Sequence, residues 1–166
     1  MTSASQIVTA YMEQTRKDLI ASYQEKGLKA SGRYAKGLTY EVSDDGKTIK
    51  AFMESEHHVW FMEQGRKPNK KKSVKELIGF ALWASDEDST TGGFIARWLK
   101  DKGIMANAFA VAYKIGEQGI QVPNRYNPGD VVEDVVTNEW FDGLVAQLAD
   151  HFIFATVTEV ERLFRK

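Results

Sequence analysis

The sequence LTYEVSDDGKTIKAF, residues 38–52, sets the fold class of this chain. Its two arms, Leu38–Val42 and Thr48–Phe52, are rich in β-branched and aromatic residues, which favour extended strands. Between the arms, Asp44-Asp45-Gly46 is a sequence typical of tight turns. The stretch therefore predicts a β-hairpin, which forms a small antiparallel sheet.

A helical spacing of apolar residues precedes the hairpin, from about Ser3 to Lys26. Ser3 and Gln6 have the spacing of a capping box, and Gly27 stands where a glycine commonly ends a helix. The segment therefore predicts an amphipathic N-terminal helix, whose apolar face includes Ile7, Val8, Tyr11, Met12, Leu19, Ile20 and Tyr23.

The chain after the hairpin is mostly helical in pattern. The segment His57–Gln64 is too short to distinguish a continuing strand from a short helix, and Gly65 ends it in either case. Three further helices are predicted, the first capped by Ser73, the second over Phe94–Lys102 and the third over Asn107–Gly119. A polar break over residues 85–93 separates the first two of these helices.

A long helix is predicted to close the chain. Pro123–Gly129 is a loop by composition, and Asn138 is a suitable cap for a helix that runs close to the C-terminus. One side of this helix carries Phe141, Leu144, Val145, Leu148 and Phe152. The sequence therefore predicts an α+β fold in a single domain over residues 1–166, with an N-terminal helix, a small antiparallel β-sheet, several short helices and a long C-terminal helix.

Composition excludes several classes of function. The chain has 166 residues and no cysteine, which removes disulfides, thiolate catalysis and cysteine-rich zinc sites. With 22 basic and 23 acidic residues the net charge is -1, so no overall field draws the chain to nucleic acid or to an anionic membrane. No apolar run approaches the roughly 18 residues that a membrane span needs. These features, with a polar N-terminus, predict a soluble, unsecreted protein that uses no membrane.

Sequence motifs for catalysis or metal binding are incomplete. Asp45–Thr48 resembles the end of a phosphate-binding loop, but Glu41 stands where the first glycine is required. The adjacent His57 and His58 lack the spacing of metal ligands, and Asp86–Asp88 lacks the glycine and glutamate of a calcium loop. We therefore expect no enzyme, no metal and no cofactor, while an enzyme whose residues converge only in three dimensions stays an alternative.

One charged segment stands out, because five basic residues fall within residues 66–72: Arg66, Lys67, Lys70, Lys71 and Lys72. Pro68 and the mutual repulsion of these charges predict an exposed loop. Such a loop is either a solvated surface or a DNA-facing surface that contacts phosphates without base specificity. In a ring of copies the loop would face the lumen. In the alternative, the chain would be a small DNA-binding protein that acts as a monomer through this loop.

The last helix has apolar residues on more than one face, which calls for more than one packing partner. The residues concerned, together with two aromatic residues before the basic segment, are either part of the core of the monomer or a subunit interface. These candidates are Trp60, Phe61, Phe154, Val157, Val160 and Phe164.

The segment Val59-Trp-Phe-Met-Glu-Gln-Gly-Arg66, followed by a basic loop that contains proline, resembles the tail-completion or minor tail proteins of tailed bacteriophages. Those proteins form part of the neck that joins head to tail, and the order of N-terminal helix and hairpin is similar. Later segments resemble a longer version of such neck proteins in phages of gut bacteria: Trp98, Lys102–Ile104, Ala108–Ala110, Ile115 and Gly119–Gly129.

The resemblance implies a structural virion protein, assembled in the cytoplasm of a bacterial host. It implies a homo-oligomeric ring at the head-tail junction, with portal or connector proteins on one side, tail proteins on the other and DNA in the lumen. It implies no cofactor. Unlike shorter members, this chain inserts helices between Ser73 and Lys102, which leaves the ring order and the position in the neck open.

Overall fold

A computed structural model describes residues 2–28, 31–55, 59–69 and 73–164, without the side chain of Phe164. The described residues form seven helices and one two-stranded antiparallel sheet, which confirms the predicted α+β fold and its long C-terminal helix. In chain order the elements are α1 (Ala4–Glu25), α2 (Arg33–Gly37), β1 (Thr39–Asp44), β2 (Ile49–Glu54), α3 (Val59–Gln64), α4 (Val74–Ser85), α5 (Phe94–Asp101), α6 (Ala108–Gln118) and α7 (Asn138–Phe164).

The hairpin forms where the sequence predicts it. β1 pairs with β2 from Thr39 opposite Glu54 to Asp44 opposite Ile49. In the turn, the side chain of Asp45 accepts hydrogen bonds from the backbone N–H groups of Lys47 at 2.8 Å and Thr48 at 2.7 Å. These backbone donors, that of Lys47 first, lower the pKa of the Asp45 carboxyl group.

Local capping sets the ends of the helices. Ser3 and Gln6 make the predicted capping box of α1, with Ser3 N–H donating to Gln6 Oε1 at 2.8 Å. Ser73 caps α4 in a second capping box with Glu76. At α7 the cap lies one residue earlier than predicted, because Thr137 Oγ1 accepts from the backbone N–H of Trp140 at 3.2 Å.

Contacts divide the chain into two compact units. The first unit comprises Met1–Glu25, Lys36–Ser55 and Asp130–Lys166, and the second comprises Lys26–Ala35 and Glu56–Gly129. Compactness does not measure independent folding, so the single domain stays a prediction.

In the first unit, α1 contacts both strands of the hairpin and α7. It buries Val8, Met12, Thr15, Leu19 and Tyr23, which share one helical face. In the second unit, α4, α5 and α6 enclose a cluster of buried side chains: Ala81, Ala84, Ile95, Leu99 and Ala112. The small alanines let the three helices approach closely.

Candidate assembly surface

Helix α7 bears a long run of exposed apolar side chains. Its 27 residues span about 40 Å. Large exposed patches of this kind mark interaction sites more often than single exposed side chains do. Eight large apolar side chains on α7 are between 45% and 63% exposed: Phe141, Val145, Phe152, Ile153, Phe154, Val157, Val160 and Leu163.

Most of these side chains fall on two faces of α7. The first face consists of Phe141, Val145, Phe152 and Leu163, and the second face consists of Ile153, Val157 and Val160. At 3.6 residues per turn, the centres of the two faces lie about 100° apart around the helix axis. Neither face meets α1, which contacts another side of the helix.

The contact with α1 is made by Trp140 and Gly143. The indole Nε1–H of Trp140 donates to Thr15 Oγ1 at 2.8 Å, and the Tyr11 hydroxyl donates to the Trp140 carbonyl at 2.8 Å. The Tyr11 and Trp140 rings meet edge to face with centroids 5.2 Å apart. A Cβ atom added at Gly143 would lie 2.6 Å from the Tyr11 hydroxyl, so α1 packs tightly against the N-terminal part of this side of α7.

The residues predicted as a subunit interface are exposed wherever the structure describes them. Phe154, Val157 and Val160 are 60%, 50% and 45% exposed on α7, and Trp60 and Phe61 are 64% and 43% exposed on α3. The alternative, burial in the core of the monomer, therefore does not describe these five side chains. The side chain of Phe164 lies outside the described residues. The partner of this surface stays a prediction.

Sequence periodicity missed part of the surface. Phe141, Val145 and Phe152 share a side of α7 with Leu144 and Leu148, as predicted, but only the two leucines are half-buried. The helical period shows which side chains share a face, whereas burial depends on what packs against that face. In the second unit, α4 likewise exposes Val74, Ile78 and Leu82 at 63%, 40% and 58%.

Trp60→Ala is expected to weaken assembly while leaving the thermal stability of the monomer nearly unchanged, because the indole is 64% exposed. Trp98→Ala is the matched control, since Trp98 packs against the core cluster of the same unit and its truncation should cost about 3 kcal/mol. Thermal melts at low concentration and light scattering at high concentration check both variants. A large loss of melting temperature in the Trp60 variant would contradict the prediction.

Arg66 differs from the exposed basic residue that the sequence predicts. Its backbone pairs with Ile120 through two hydrogen bonds of 2.8 and 2.7 Å, and its guanidinium donates to Asn69 Oδ1 at 2.8 Å. The same guanidinium lies 4.6 Å from the centroid of the Phe80 ring, and its burial lowers the pKa of Arg66. The arginine remains charged at neutral pH but is half-buried by contacts within the second unit.

The other basic residues of the segment are Lys67, Lys70, Lys71 and Lys72. Lys67 is exposed, while Lys70, Lys71 and Lys72 lie outside the described residues. A DNA-facing or lumen-facing role of this segment stays a prediction, which now depends mainly on these four lysines.

The acidic loop after α4 is organised by an arginine. The Arg97 guanidinium donates to the carbonyl oxygens of Glu87, Ser89 and Gly92. Lys100 makes an ion pair with Glu87 at 2.7 Å, and this hydrogen-bonded ammonium lowers the pKa of the Glu87 carboxyl group. Basic side chains thus satisfy oxygen atoms that a bound cation would otherwise contact.

Within residues 2–28, 31–55, 59–69 and 73–164, no group of three or more histidine, aspartate or glutamate side chains is arranged to hold a metal ion. In the same ranges, no helix has both the length and the apolar character needed to cross a membrane.

Comparison with protein-family models, with curated proteins and with solved structures found no match to this chain.

Proposed function

We propose that the chain is a structural protein of the neck of a tailed bacteriophage, which forms a ring around the DNA channel at the head-tail junction. Its role is binding without catalysis, and it uses no cofactor. Its partners are further copies of itself, portal or connector proteins and tail proteins. It assembles in the cytoplasm of the bacterial host and becomes part of the virion.

The observation that carries this proposal is the exposed apolar surface of α7. Eight large side chains that are about half exposed leave on the order of 800 Å² of accessible surface, similar to the roughly 800 Å² per partner in a standard protein interface. A chain that functions alone gains nothing from such a surface, because exposed apolar patches favour aggregation. A subunit of a larger assembly covers it on binding.

The contacts of the resembling segments support the same proposal. Val59–Arg66 and Gly119–Gly129 carry much of the resemblance to neck proteins, and the two segments are joined in the second unit. Arg66 pairs with Ile120, and Asn127 Nδ2 donates to the Met62 carbonyl at 2.8 Å. These two segments therefore pack together within the second unit.

Deletion of this gene from the phage genome that encodes it is expected to stop virion assembly at the head-tail junction. Electron microscopy should show DNA-filled heads and separate tails, and expression of the wild-type chain in trans should restore joined, infectious particles. A variant with both Val145→Asp and Val157→Asp, at two exposed positions of α7, should fold but fail to restore them.

Joined and infectious particles in normal numbers from the deletion would overturn the proposal. If the purified monomer then bound duplex DNA with an affinity that falls steeply with salt, the small DNA-binding protein would be the better description.

A further inference from the structure

We infer that the outer edge of β2 is a docking site for β2 of a second copy of this chain. The two strands run antiparallel around a two-fold axis at Phe52, so the two hairpins form one four-stranded sheet. This contact is separate from α7 and goes beyond the neck proposal, because a two-fold contact closes after two copies and does not by itself build a ring.

The outer edge of β2 carries backbone groups that β1 does not satisfy. The hydrogen bond of 3.3 Å from Asp45 N–H to the Thr48 carbonyl closes the hairpin and sets the alternation of hydrogen-bonded and non-hydrogen-bonded pairs along it. By this alternation, the backbone groups directed away from β1 are those of Ile49, Ala51 and Met53. Within the described ranges, no other segment forms hydrogen bonds with these groups. Such an edge is a template for another strand.

The side chains along β2 complement a second copy of β2. Lys50 and Glu54 lie two residues to either side of Phe52, so the three side chains share one face of the hairpin, and all three are exposed, Phe52 by 56%. When two copies run antiparallel with Phe52 opposite Phe52, each Lys50 stands opposite the Glu54 of the other copy. Opposite charges and aromatic pairs across neighbouring strands both stabilise a sheet.

The backbone supports the same register. With Phe52 at the axis, Ala51 stands opposite Met53, and both have free backbone groups on the outer edge that they can exchange. The Phe52 pair and the charged pairs then occupy the non-hydrogen-bonded positions, where facing side chains lie closest. An axis moved by one residue, to Ala51 or Met53, would place Phe52 opposite Lys50 or Glu54. One register therefore satisfies the backbone, the charges and the aromatic rings together.

Strand β1 does not offer an equivalent contact. It contains Glu41 and Asp44 but no basic residue, so two copies of β1 form no ion pair within the strands. An antiparallel pairing of β1 with β2 of another copy can match Glu41 with Lys50, but it leaves Glu54 opposite Gly37, which precedes β1. Helix α1 also contacts β1 more extensively than β2. The outer edge of β2 is therefore the better site for a second copy.

Exchange of the two charges tests the contact. Lys50→Glu alone, or Glu54→Lys alone, places like charges opposite each other twice in the dimer and should raise its dissociation constant at least about tenfold. The double variant, Lys50→Glu with Glu54→Lys, restores both ion pairs with reversed signs and should dimerise like the unsubstituted edge. An equimolar mixture of the two single variants should form a heterodimer, because one copy then carries two acids and the other two bases.

All measurements use the full-length chain with Val145→Asp and Val157→Asp, because these changes remove assembly through α7. Sedimentation velocity and native mass spectrometry should cover about 1–500 μM, since an edge contact is smaller than the roughly 1,200 Å² of a stable interface and binds weakly. Lys114→Glu is the matched control, because it makes the same charge change at an exposed position on α6 and should leave the dimer intact. Circular dichroism and thermal melts verify that every variant is folded.

Four results would overturn the inference. These are a monomer at 500 μM with the edge of β2 unsubstituted, a dimer that survives both single variants, a folded double variant that stays monomeric, and a mixture of single variants that forms no heterodimer. Assemblies larger than a dimer in this α7 variant would overturn it as well, because they need a contact that does not close after two copies.

The outcomes are separable from those of the gene deletion. A chain that dimerises through β2 but whose deletion leaves particles normal would keep the dimer and remove the neck proposal. A chain that stays monomeric in these measurements but whose wild-type form restores joined particles would remove the dimer and leave the neck proposal standing.

Discussion

Gly65→Ala is expected to lower the free energy of unfolding by about 3–5 kcal/mol, the sum of a left-handed backbone penalty and the loss of two backbone hydrogen bonds with their neighbouring contacts. Gly65 has φ +70°, and a Cβ atom there would overlap the carbonyl oxygen of Ile120. That oxygen accepts the hydrogen bond from Arg66 N–H at 2.8 Å. The alanine side chain would therefore push Arg66 and Ile120 apart. This pair joins two distant parts of the chain within the second unit.

Gly103→Ala is the matched control for Gly65→Ala. Gly103 belongs to the same unit and has a similar φ of +64°, but a Cβ atom added there meets nothing within 4 Å. Its replacement should cost only the left-handed backbone penalty, about 1–2 kcal/mol. Urea denaturation of both variants, followed by circular dichroism, measures the difference. Equal losses of unfolding free energy in the two variants would show that Gly65→Ala relieves its overlap with Ile120 without breaking the Arg66–Ile120 pair.

Trp140→Ala is expected to lower the free energy of unfolding by about 3–4 kcal/mol, as is usual when a large packed aromatic side chain is truncated. The indole is the main contact of α7 with α1, through its hydrogen bond to Thr15 and its ring contact with Tyr11. Without the indole, the N-terminal end of α7 loses these contacts with Thr15 and Tyr11 of α1. Chemical denaturation at a concentration below that of assembly measures the effect on the monomer alone.

Phe141→Ala provides the comparison for Trp140→Ala at the adjacent position. The Phe141 side chain is 54% exposed on the first face of α7, and its ring meets the Trp140 ring edge to face with centroids 4.8 Å apart, so its truncation should cost about 1–2 kcal/mol, less than the truncation of Trp140. It should also weaken self-association in light scattering. A Phe141 variant as unstable as the Trp140 variant would show that both rings hold α7 to α1.

Features decided by neighbours in the chain were predictable from the sequence. The hairpin and the capping boxes at Ser3 and Ser73 each depend on residues no more than a few positions apart. Hydrogen bonds of this range form whenever the local backbone adopts the turn or helix, so composition and spacing are sufficient to anticipate them.

The basic segment shows where local prediction ends. Its charges predict exposure, and Lys67 is exposed, yet Arg66 is half-buried because its backbone pairs with Ile120 and its guanidinium lies over Phe80. Both partners lie outside the segment, and Ile120 is far along the chain. Local sequence carries no information about which distant backbone will be brought to Arg66.

The same division holds for α7. The sequence by itself determined that residues 138–164 form a helix and which of its side chains share a face, because 3.6 residues per turn set the direction of each side chain. Only the tertiary structure decided that α1 covers the side of Trp140 and Gly143 and leaves Phe141, Val145 and Val157 exposed. The physical reason is that burial is a property of two packed surfaces, and a helical period describes only one of them.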